Sequence, residues 1–472
     1  MENMKDFFFE DGAEPGYGSE EMLIKALSAG YGTNAAEFTG GRALQPEDCE
    51  TTLVNVMRED QSDFKLMNTL KKTPVKSTVH QANLRLDVGD EDSGFVEEGG
   101  IAPDNTQDIR RITRDMKYIQ KRGEVTEQAV VADTFEPAFE AEKIACTLST
   151  LRTAEKYCFH GDSAVVPKQF DGLISQIKGA PAAKRNIYDL RGRSIQAEGE
   201  GLFTRMAENI ADQGGSANRV FYPLILGDDI QALCRDRLRF GTEDERMAAV
   251  FKTYPTLYGP LSIAGDAGPD KMFKPKGVIK PGGIIGKAGS FPNKPVSVTL
   301  TAAAATTGPS QFLSSDAGNY TYLVYAVNEY GISEGTSPAA AVAVAAGNAV
   351  TISIVPAATN PGTGFIICRS IKGGTTVMEM VRIGRDEQNA NTVYVDLNDD
   401  LPGTAEMLFI TEKKMQVVAE FLQFLPLRLY RMYPTDRLVT PFIMALWGSP
   451  SLKAPHWCGV VKNIAYRGGF YG

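Results

Sequence analysis

The sequence has few of the residues on which catalytic and metal sites depend. It contains three histidines among 472 residues, His80, His160 and His456, although imidazole is the commonest metal ligand and general base in proteins. Six cysteines are scattered without a CxxC pair, at Cys49, Cys146, Cys158, Cys234, Cys368 and Cys458. This spacing predicts small buried thiols in a reducing compartment and not a disulfide framework. No cofactor is predicted.

The sequence also lacks a basic excess and a long apolar run. Its net charge of −9 and pI near 5.2 argue against a dedicated nucleic-acid-binding protein, which usually has a dominant basic face. No stretch approaches eighteen uninterrupted apolar residues, so no membrane span is predicted. The acidic start MENMKDFFFEDGAEPG does not resemble a signal peptide. The length suits two or three globular domains.

Two glycine-containing motifs resemble catalytic loops but each misses an essential part. Residues 331–335 (GISEG) match GxSxG, yet the strand-like TSPAAAVAV follows where that nucleophile motif needs a helix. A loop of a β-sandwich is the simpler interpretation. Residues 282–287 (GGIIGK) are one residue short of a phosphate-binding loop and lack Ser or Thr after the lysine.

Candidate metal ligands are similarly incomplete. Asp396, Asn398 and Asp400 match the start of a calcium loop, but Leu401 replaces the glycine and Met407 replaces the closing glutamate. The His456-Trp457-Cys458 run predicts packed structure in place of a zinc site. A cluster of acids could gather a cation, although a solvated contact loop explains it as well: Asp90, Glu91, Asp92, Glu97 and Glu98.

One stretch, residues 133–161, predicts a single long amphipathic helix. Asp133 or Thr134 can cap it, Pro137 suits its first turn and Gly161 can end it. From Pro137 it would be roughly 35 Å long at 1.5 Å per residue. We interpret it as a structural strut. Its predicted apolar stripe consists of Ala141, Ile144, Ala145, Leu148, Leu151, Ala154 and Cys158.

Between Ser77 and Val130 the hydrophobic period changes from that of a helix to that of a strand. His80, Ala82, Leu84, Leu86 and Val88 alternate with more polar neighbours, and Ile112, Met116 and Tyr118 alternate on the way back. The joining segment DVGDEDSGFVEEGGIAPDNTQD is too long for a tight turn and rich in acid and glycine. A two-stranded ribbon is marginal in water by itself. We therefore predict that it lies on a neighbouring subunit, through contacts made by Arg85, Asp90, Asp92, Glu97, Glu98, Arg110, Arg111 and Arg114.

The flanking regions predict short helices and a mixed α+β host domain. Helices are predicted from Ser19, from Pro46 and over Phe64–Leu70, as an N-terminal arm. Farther along, the strands and helices do not follow regular βαβ spacing. The predicted elements are a strand–turn over Gln169–Ile177, a polar loop over 182–200, helices over Leu202–Ala211 and Asp228–Leu238, and strands over Val220–Leu226, Leu261–Ala264 and Gly277–Ile279.

From Phe291 the composition shifts to short alternating strands separated by Gly, Asn and Pro. Roughly seven strands in about a hundred residues predict a β-sandwich. The run YTYLVYAVNEYGISEGTSP (320–338) resembles a strand and following loop of fibronectin type III or immunoglobulin-like domains. Since the earlier character of the chain resumes at Thr411, the sandwich is predicted to be an insertion that projects from its host.

The order of these segments resembles the major capsid protein of tailed bacteriophages, which has the Hong Kong 97-type fold. The resemblance spans nearly the whole chain and is closest to large-phage members with an inserted immunoglobulin-like domain. The segments that show it are KKTPVKSTVHQ, VEEGGIAP, RDMKYI, EKYCFHGDSAV, FDGL, ALWGSPSLKAPHW and KNIAY.

The resemblance implies a domain plan. It assigns 1–75 to an N-terminal arm, 76–128 to an extended β-loop, 129–185 to a peripheral domain with the long helix as its spine, 186–290 to an axial domain, 291–409 to the inserted immunoglobulin-like domain, and 410–472 to the return through the axial and peripheral domains.

The resemblance also implies a function without catalysis. Family members build hexamers and pentamers into an icosahedral shell around packaged double-stranded DNA, and they assemble in the host bacterial cytoplasm. The implied partners are other copies of the chain, scaffolding, portal and decoration proteins, and DNA through non-specific inner-surface contacts, with no membrane. The alternative is a surface or tail-associated protein whose β-sandwich recognises carbohydrate.

Some family members lock the shell with a lysine–asparagine isopeptide bond from the extended loop. This sequence has no lysine between Lys76 and Lys117. We therefore predict no such crosslink from the loop tip, and boiled denaturing gels of assembled protein should show a single band and no ladder.

Overall fold

The computed structural model describes residues 64–87, 95–101, 104, 107–131, 137–182, 185–234, 253–266, 275–283, 291–412, 418–433 and 437–471. Apart from Pro137, all of these residues belong to one compact unit. The helices predicted from Ser19 and Pro46 lie outside the described residues. No helix of the described part is long and apolar enough to cross a membrane.

The helices are mostly short and amphipathic, with one exception of 23 residues. In chain order they are α1 (Lys65–Thr69), α2 (Glu127–Val131), α3 (Ala138–His160), α4 (Leu173–Lys178), α5 (Ile195–Glu198), α6 (Gly201–Asp212) and α7 (Gly227–Cys234), with single 3₁₀ turns at Leu224–Leu226 and Pro455–Trp457.

Strands dominate the described residues, so the fold is mixed α+β with mostly strands. They are β1 (Lys71–Pro74), β2 (Val79–Asp87), β3 (Asp108–Asp115), β4 (Lys117–Thr126), β5 (Asn186–Asp189), β6 (Ala217–Pro223), β7 (Thr253–Thr256), β8 (Gly259–Asp266), β9 (Gly282–Gly283), β10 (Ser297–Ala304), β11 (Gly318–Tyr320), β12 (Tyr322–Asn328), β13 (Gly331–Thr336), β14 (Val342–Val344), β15 (Asn348–Val355), β16 (Gly364–Arg369), β17 (Met378–Gly384), β18 (Thr392–Asp396), β19 (Ala405–Thr411), β20 (Ala419–Arg431), β21 (Val439–Leu452) and β22 (Gly459–Ile464).

Two sheets form the body of the compact unit. One has the order β1-β20-β21-β4, with β1 parallel to β20 and the other pairs antiparallel. The second has the order β5-β22-β19-β6-β8-β7 and contains both parallel and antiparallel pairs. Helix α3 packs on the first sheet in one apolar cluster, which also includes residues of the second sheet, and α6 and α7 pack on the second sheet in another cluster. The body is therefore two sheets, each covered by helix.

Helix α3 confirms the predicted long helix, but its buried face differs from the predicted stripe. The buried line runs through Cys146, Thr150, Ala154 and Cys158 at four-residue spacing. Ile144, which was predicted to be apolar core, is 49% exposed. Small side chains on the buried line let the helix lie close to the sheet, and the Thr150 hydroxyl donates to the Cys146 carbonyl at 2.8 Å.

Residues 297–396 form two facing sheets with a shared apolar core. The orders are β10-β15-β18 and β17-β16-β12-β13-β9, with a separate β11-β14 pair. Alternate residues such as Val324, Ile352 and Phe365 are fully buried between the sheets. The period-two pattern predicted these strands because one face of each strand is buried. Strand β9 precedes the sandwich in sequence and pairs Gly283 with Gly331 at its edge.

Several predicted elements are wrong. Residues 169–177 form a turn followed by helix α4, and residues 182–200 contain β5 and α5 in place of a polar loop. No strand covers Gly277–Ile279. The GISEG segment is strand β13, not a loop. Short apolar runs of this kind fit a helix or a strand equally well until packing decides between them.

A cluster of charged residues, most of them at least partly buried, joins the sandwich to the body. Lys178, at the end of α4, pairs with Glu406 of β19 at 2.6 Å. Lys276 lies in the segment before the sandwich, and its ammonium is 3.7 Å from the carboxylate of Asp400 in the segment after the sandwich. Lys462 of β22 holds Asp399 at 2.8 Å. Burial alone would raise the pKa of Glu406, but the ammonium groups of Lys178 and Lys276 lower it to about 2.

We predict that acid weakens this junction in two steps. Burial lowers the pKa of His160 from its ordinary 6.5 to about 4, so the unfolded chain binds a proton that the folded chain does not, and stability falls as the pH drops from 6.5 toward 4. The lowered pKa of Glu406 contributes stability that is fully present above pH 4.5, the ordinary pKa of this group, and that is lost as the pH falls toward 2. Urea unfolding between pH 7.5 and 3 measures both steps. His160→Gln should remove the upper step only, and a flat profile between pH 7 and 4.5 in the unmodified chain would contradict the assignment.

Candidate subunit interface

The ribbon β2–β3 is a sheet of two strands only. The strands pair antiparallel from Val79 opposite Asp115 to Asp87 opposite Asp108, and no third strand joins them in the part of the chain that the structure describes. Nine residues in β2 extend about 30 Å at 3.3 Å per residue. A two-stranded ribbon of this length needs another surface to be stable.

The two ribbon faces differ in exposure. His80, Ala82 and Leu84 are half-buried, and their partners across the ribbon are Arg114, Ile112 and Arg110. The opposite face is exposed. The predicted alternation of β2 is therefore confirmed for these positions. The alternation predicted for the returning strand falls on two different strands. Ile112 lies in β3 of the ribbon, whereas Tyr118 lies in β4, which pairs with β21 in the body. Within 76–128, the ribbon is formed by β2 and β3, and β4 belongs to the sheet of the body.

The described part of the tip is acidic and apolar. A turn is closed by the Gly100 N–H donating to the Glu97 carbonyl at 2.8 Å, and Gly99 has φ +83° at the position where a type II turn favours glycine. Phe95 and Ile101 flank this turn with nearly complete exposure, at 104% and 93%. Burial of two such side chains against a partner would be favourable, because apolar surface would be removed from water.

The predicted contact residues fall into three groups. Arg85, Arg110 and Arg111 are exposed on the strands, and Arg111 Nε donates to Asn83 at 3.1 Å. Glu97 and Glu98 are exposed at the tip. Asp90 and Asp92 lie outside the described residues. These positions remain predictions as subunit contacts.

Arg114 differs from the other predicted contacts. It is half-buried near the ribbon root, where burial lowers the pKa of its guanidinium and Asp171 of the same chain opposes that shift. Its environment is thus supplied partly by its own subunit. Phe95 and Ile101 were not among the predicted contacts, although the sequence shows them as isolated apolar residues within an acidic loop.

The ribbon root is held by a buried carboxylate on α3. Glu155 accepts hydrogen bonds from the backbone N–H groups of Leu66 and Met67 at 2.8 and 2.9 Å, at the start of α1. Helix α1 leads into β1, where the Thr73 hydroxyl donates to Glu420 at 2.7 Å. The segment that enters the ribbon is therefore fixed to both the long helix and the sheet.

The failed motifs have structural explanations. Asp396 is fully buried against Arg369 at 2.6 Å, and Asn398 accepts from the same guanidinium at 2.6 Å. The side-chain oxygens of Asp396 and Asn398 therefore accept hydrogen bonds from Arg369. His456 and Trp457 form a 3₁₀ turn in which the Trp457 indole donates to the Gln213 carbonyl at 2.8 Å. Among the described residues, no group of three or more potential metal ligands comes together.

A surface groove of about 700 Å³ lies at the turn between β17 and β18. The Asp386 carboxylate in this turn accepts from Gln388 N, Asn389 N and Asn389 Nδ2, so it is engaged within the turn itself. The groove gives no specific support to carbohydrate recognition by the sandwich.

Comparisons with known proteins indicate a capsid protein. No protein-family model matches the chain. The chain is 24% identical over 475 residues to the major capsid protein of Staphylococcus phage K, in an alignment that covers 95% of this chain and 96% of the relative. The major capsid protein of Staphylococcus phage S25-3 aligns with the same values. This similarity along both chains supports a phage major capsid protein with a structural, non-enzymatic role.

A solved structure is also similar over most of the chain. The capsid structure of the cyanophage P-SCSP1u covers 96% of this chain and 100% of its own, with a TM-score of 0.46 and 8% identity.

Proposed function

We propose that this chain is the major capsid protein of a tailed phage and assembles into the hexamers and pentamers of an icosahedral head that encloses double-stranded DNA. The observation that carries the proposal is the ribbon, since it has no third strand among the described residues and ends in exposed Phe95 and Ile101. A fold that leaves such a ribbon outside its own core is completed by another copy.

The proposal includes a Hong Kong 97-type fold, with 291–409 as an inserted immunoglobulin-like domain. The two facing sheets between Ser297 and Asp396 support the insertion, and the long α3 supports its assignment as the spine of a peripheral domain. Scaffolding, portal and decoration proteins and the inner-surface DNA contacts belong to the same proposal. Assembly would take place in the host cytoplasm, before the shell becomes part of the virion.

The proposal predicts that the full-length chain forms rings or closed shells. Negative-stain microscopy and sedimentation velocity of the purified chain measure this directly. A well-behaved monomer at high concentration would overturn it.

We further predict that the double variant F95S/I101S loses assembly but keeps its fold. Burial of two large apolar side chains stabilises by about 3–6 kcal/mol in total, so the concentration needed for assembly should rise on the order of 100-fold or more. The thermal unfolding midpoint should be unchanged, because both side chains are already exposed. Val296→Ser removes an apolar side chain that is also exposed, at 67%, and serves as the control. Equal assembly of F95S/I101S and V296S would contradict the role of the tip.

A further inference from the structure

The sandwich lies on the body through the outer face of its five-stranded sheet. Val165 and Val166, which follow α3, form an apolar cluster with Tyr325 of β12 and Ile366 of β16. Their neighbours in sequence, such as Val324, point into the sandwich core, because side chains alternate along a strand. The opposite sheet, β10-β15-β18, therefore turns its outer side away from this contact with the body.

The outer side of the three-stranded sheet, here called the distal face, carries no charged side chain. Strands β10 and β15 contain no charged residue, and Asp396, the only one in β18, is buried against Arg369. Charged residues make up 23% of the whole chain and are mostly exposed in folded proteins. A surface without charge is typical of the centre of an interface. The distal face consists mainly of Ser297, Thr299, Thr301, Thr351, Ser353 and Val393.

Strand β10 forms an open edge of this sheet. One side of β10 pairs with β15, from Ser297 opposite Val355 to Ala304 opposite Asn348, and no strand among the described residues pairs with its other side. Strand β14 packs nearby but pairs with β11. The side chain of Leu300 points toward the core and is nevertheless only half-buried, as expected beside an open edge. A further strand can therefore reach this edge.

The edge of β10 has none of the sequence features that protect edge strands from pairing. Its eight residues, SVTLTAAA, include no charged residue and no proline, although natural edges usually carry one or the other or are covered. The remaining margins of the sandwich are partly covered. Strand β9 pairs with β13, Ala164 of the body approaches Gly384 of β17, and the turn 385–391 lies beside the five residues of β18. Among the described residues, β10 is therefore the margin best suited to receive another strand.

The strand that best fits this edge is β10 of a second copy. A two-fold axis brings two such edges together antiparallel, so that N–H groups of each strand meet carbonyl groups of the other. Self-pairing of a charged edge would place like charges side by side, whereas β10 has no charge. Thr299 and Thr301 of the two copies would form cross-strand threonine pairs, which stabilise antiparallel sheets. Because each copy contributes one such edge, the pairing ends at two copies and does not propagate.

We propose that the sandwiches of two neighbouring copies pair through β10, which joins their three-stranded sheets into one sheet of six strands. This inference rests on the proposed function, because a closed shell relates its building blocks by two-fold axes and holds them side by side. Eight residues span about 26 Å, and at a sheet thickness of about 10 Å the contact buries only roughly 500 Å² in total. A stable isolated interface needs about 1,200 Å² or more, so the pairing depends on the shell to hold the copies together.

Disulfide formation in assembled protein tests the pairing directly. Thr299 and Thr301 are exposed on the edge strand, and their partners Ser353 and Thr351 lie one strand farther in. Directly paired strands are about 5 Å apart, within disulfide reach, whereas the β15 strands of the two copies would be about 14 Å apart. Under mild oxidation, T299C/T301C should therefore give at least about five times as much linked dimer on non-reducing gels as the control T351C/S353C.

The outcomes separate this inference from the proposed function. Closed shells in which T299C/T301C links no more than T351C/S353C would overturn the β10 pairing and leave the proposed function standing. A chain that never assembles would overturn both.

Amide hydrogen exchange in β10 provides an independent test. The open N–H groups of β10 become hydrogen-bonded when two copies pair, so they should exchange at least about tenfold more slowly in assembled than in dissociated protein. T299K/T301K places like charges on the two paired strands and should remove this added protection. T351K/S353K adds the same charges one strand farther in, where solvent and salt screen them, and should keep the protection. Equal exchange of β10 in assembled and dissociated protein would overturn the inference.

Discussion

Replacing Arg369 by methionine is expected to lower the free energy of unfolding of the sandwich by about 3–5 kcal/mol, the usual cost of removing one partner of a buried ion pair. Arg369 and Asp396 are both 1% exposed and are 2.6 Å apart. Burial alone would lower the pKa of the guanidinium, but Asp396 raises it above its ordinary value. Without Arg369, the carboxylate would be left buried with no opposite charge.

The surroundings of Arg369 make the loss hard to compensate. The guanidinium also lies 5.4 Å from the ring of Phe312 and 5.3 Å from that of Tyr320, and the Tyr322 hydroxyl donates to Asp396 at 2.8 Å. A hydrophobic replacement keeps volume but supplies none of the donors. Hydrogen exchange in β16 reports the local opening free energy directly.

Two further variants separate the ion pair from general damage. R369M/D396L removes both charges and should recover part of the loss, because no unpaired charge remains. Arg193→Met removes an arginine that is 62% exposed from its pair with Glu198 and should cost less than about 1 kcal/mol. If R369M and R193M have equal effects, the buried pair does not stabilise the sandwich as described.

Glu155→Ala is expected to cost about 2–6 kcal/mol, because it leaves two buried backbone donors without their acceptor and each such group costs about 1–3 kcal/mol. The substitution favours the helix itself, since alanine has the higher helix propensity. Destabilisation therefore reports the lost contacts of the carboxylate, which include the bonds to Leu66 and Met67. Amide hydrogen exchange in the variant should become faster first in α1 and β1, at the entrance to the ribbon.

The matched control is Glu140→Ala on the same helix. Glu140 is 55% exposed and pairs with Lys143 three residues along, so its loss should change stability by less than about 0.5 kcal/mol. Unfolding in urea and amide exchange at Leu66 and Met67 distinguish the two variants. Unchanged exchange at these amides in E155A would show that the carboxylate does not hold the ribbon root.

The sequence predicted long elements well and contacts between distant residues poorly. Helix α3 and the sandwich strands follow from periodicity, which depends on neighbouring residues alone. The buried side of α3 was mispredicted because Thr150 and Glu155 look polar in the sequence, and only the opposing α1 and the sheet show why they are buried. The same reason applies to Asp396, whose partner Arg369 is 27 residues away.

The candidate interface was predicted in part. Alternation in β2 located the ribbon, and the contacts assigned to the charged residues of the tip stay a prediction. The contact of Tyr118 with Trp447 was not predicted, because β4 and β21 are separated by about three hundred residues of chain. Strand register, which sequence alone does not supply, brings Tyr118 and Tyr430 to one surface.

The short strand β9 affects how the sandwiches of neighbouring copies can pair when many copies are held close together. Its pairing with β13 occupies one margin of the five-stranded sheet. At the other margin, Gly384 of β17 allows a close approach of the Ala164 carbonyl, since an added Cβ would lie 2.2 Å from that oxygen. Unpaired edge strands of sheets are templates for fibril-like aggregation when many copies are held side by side. Partial cover at both edges of this sheet would hinder edge-to-edge pairing of sandwiches through it when many copies are held close together.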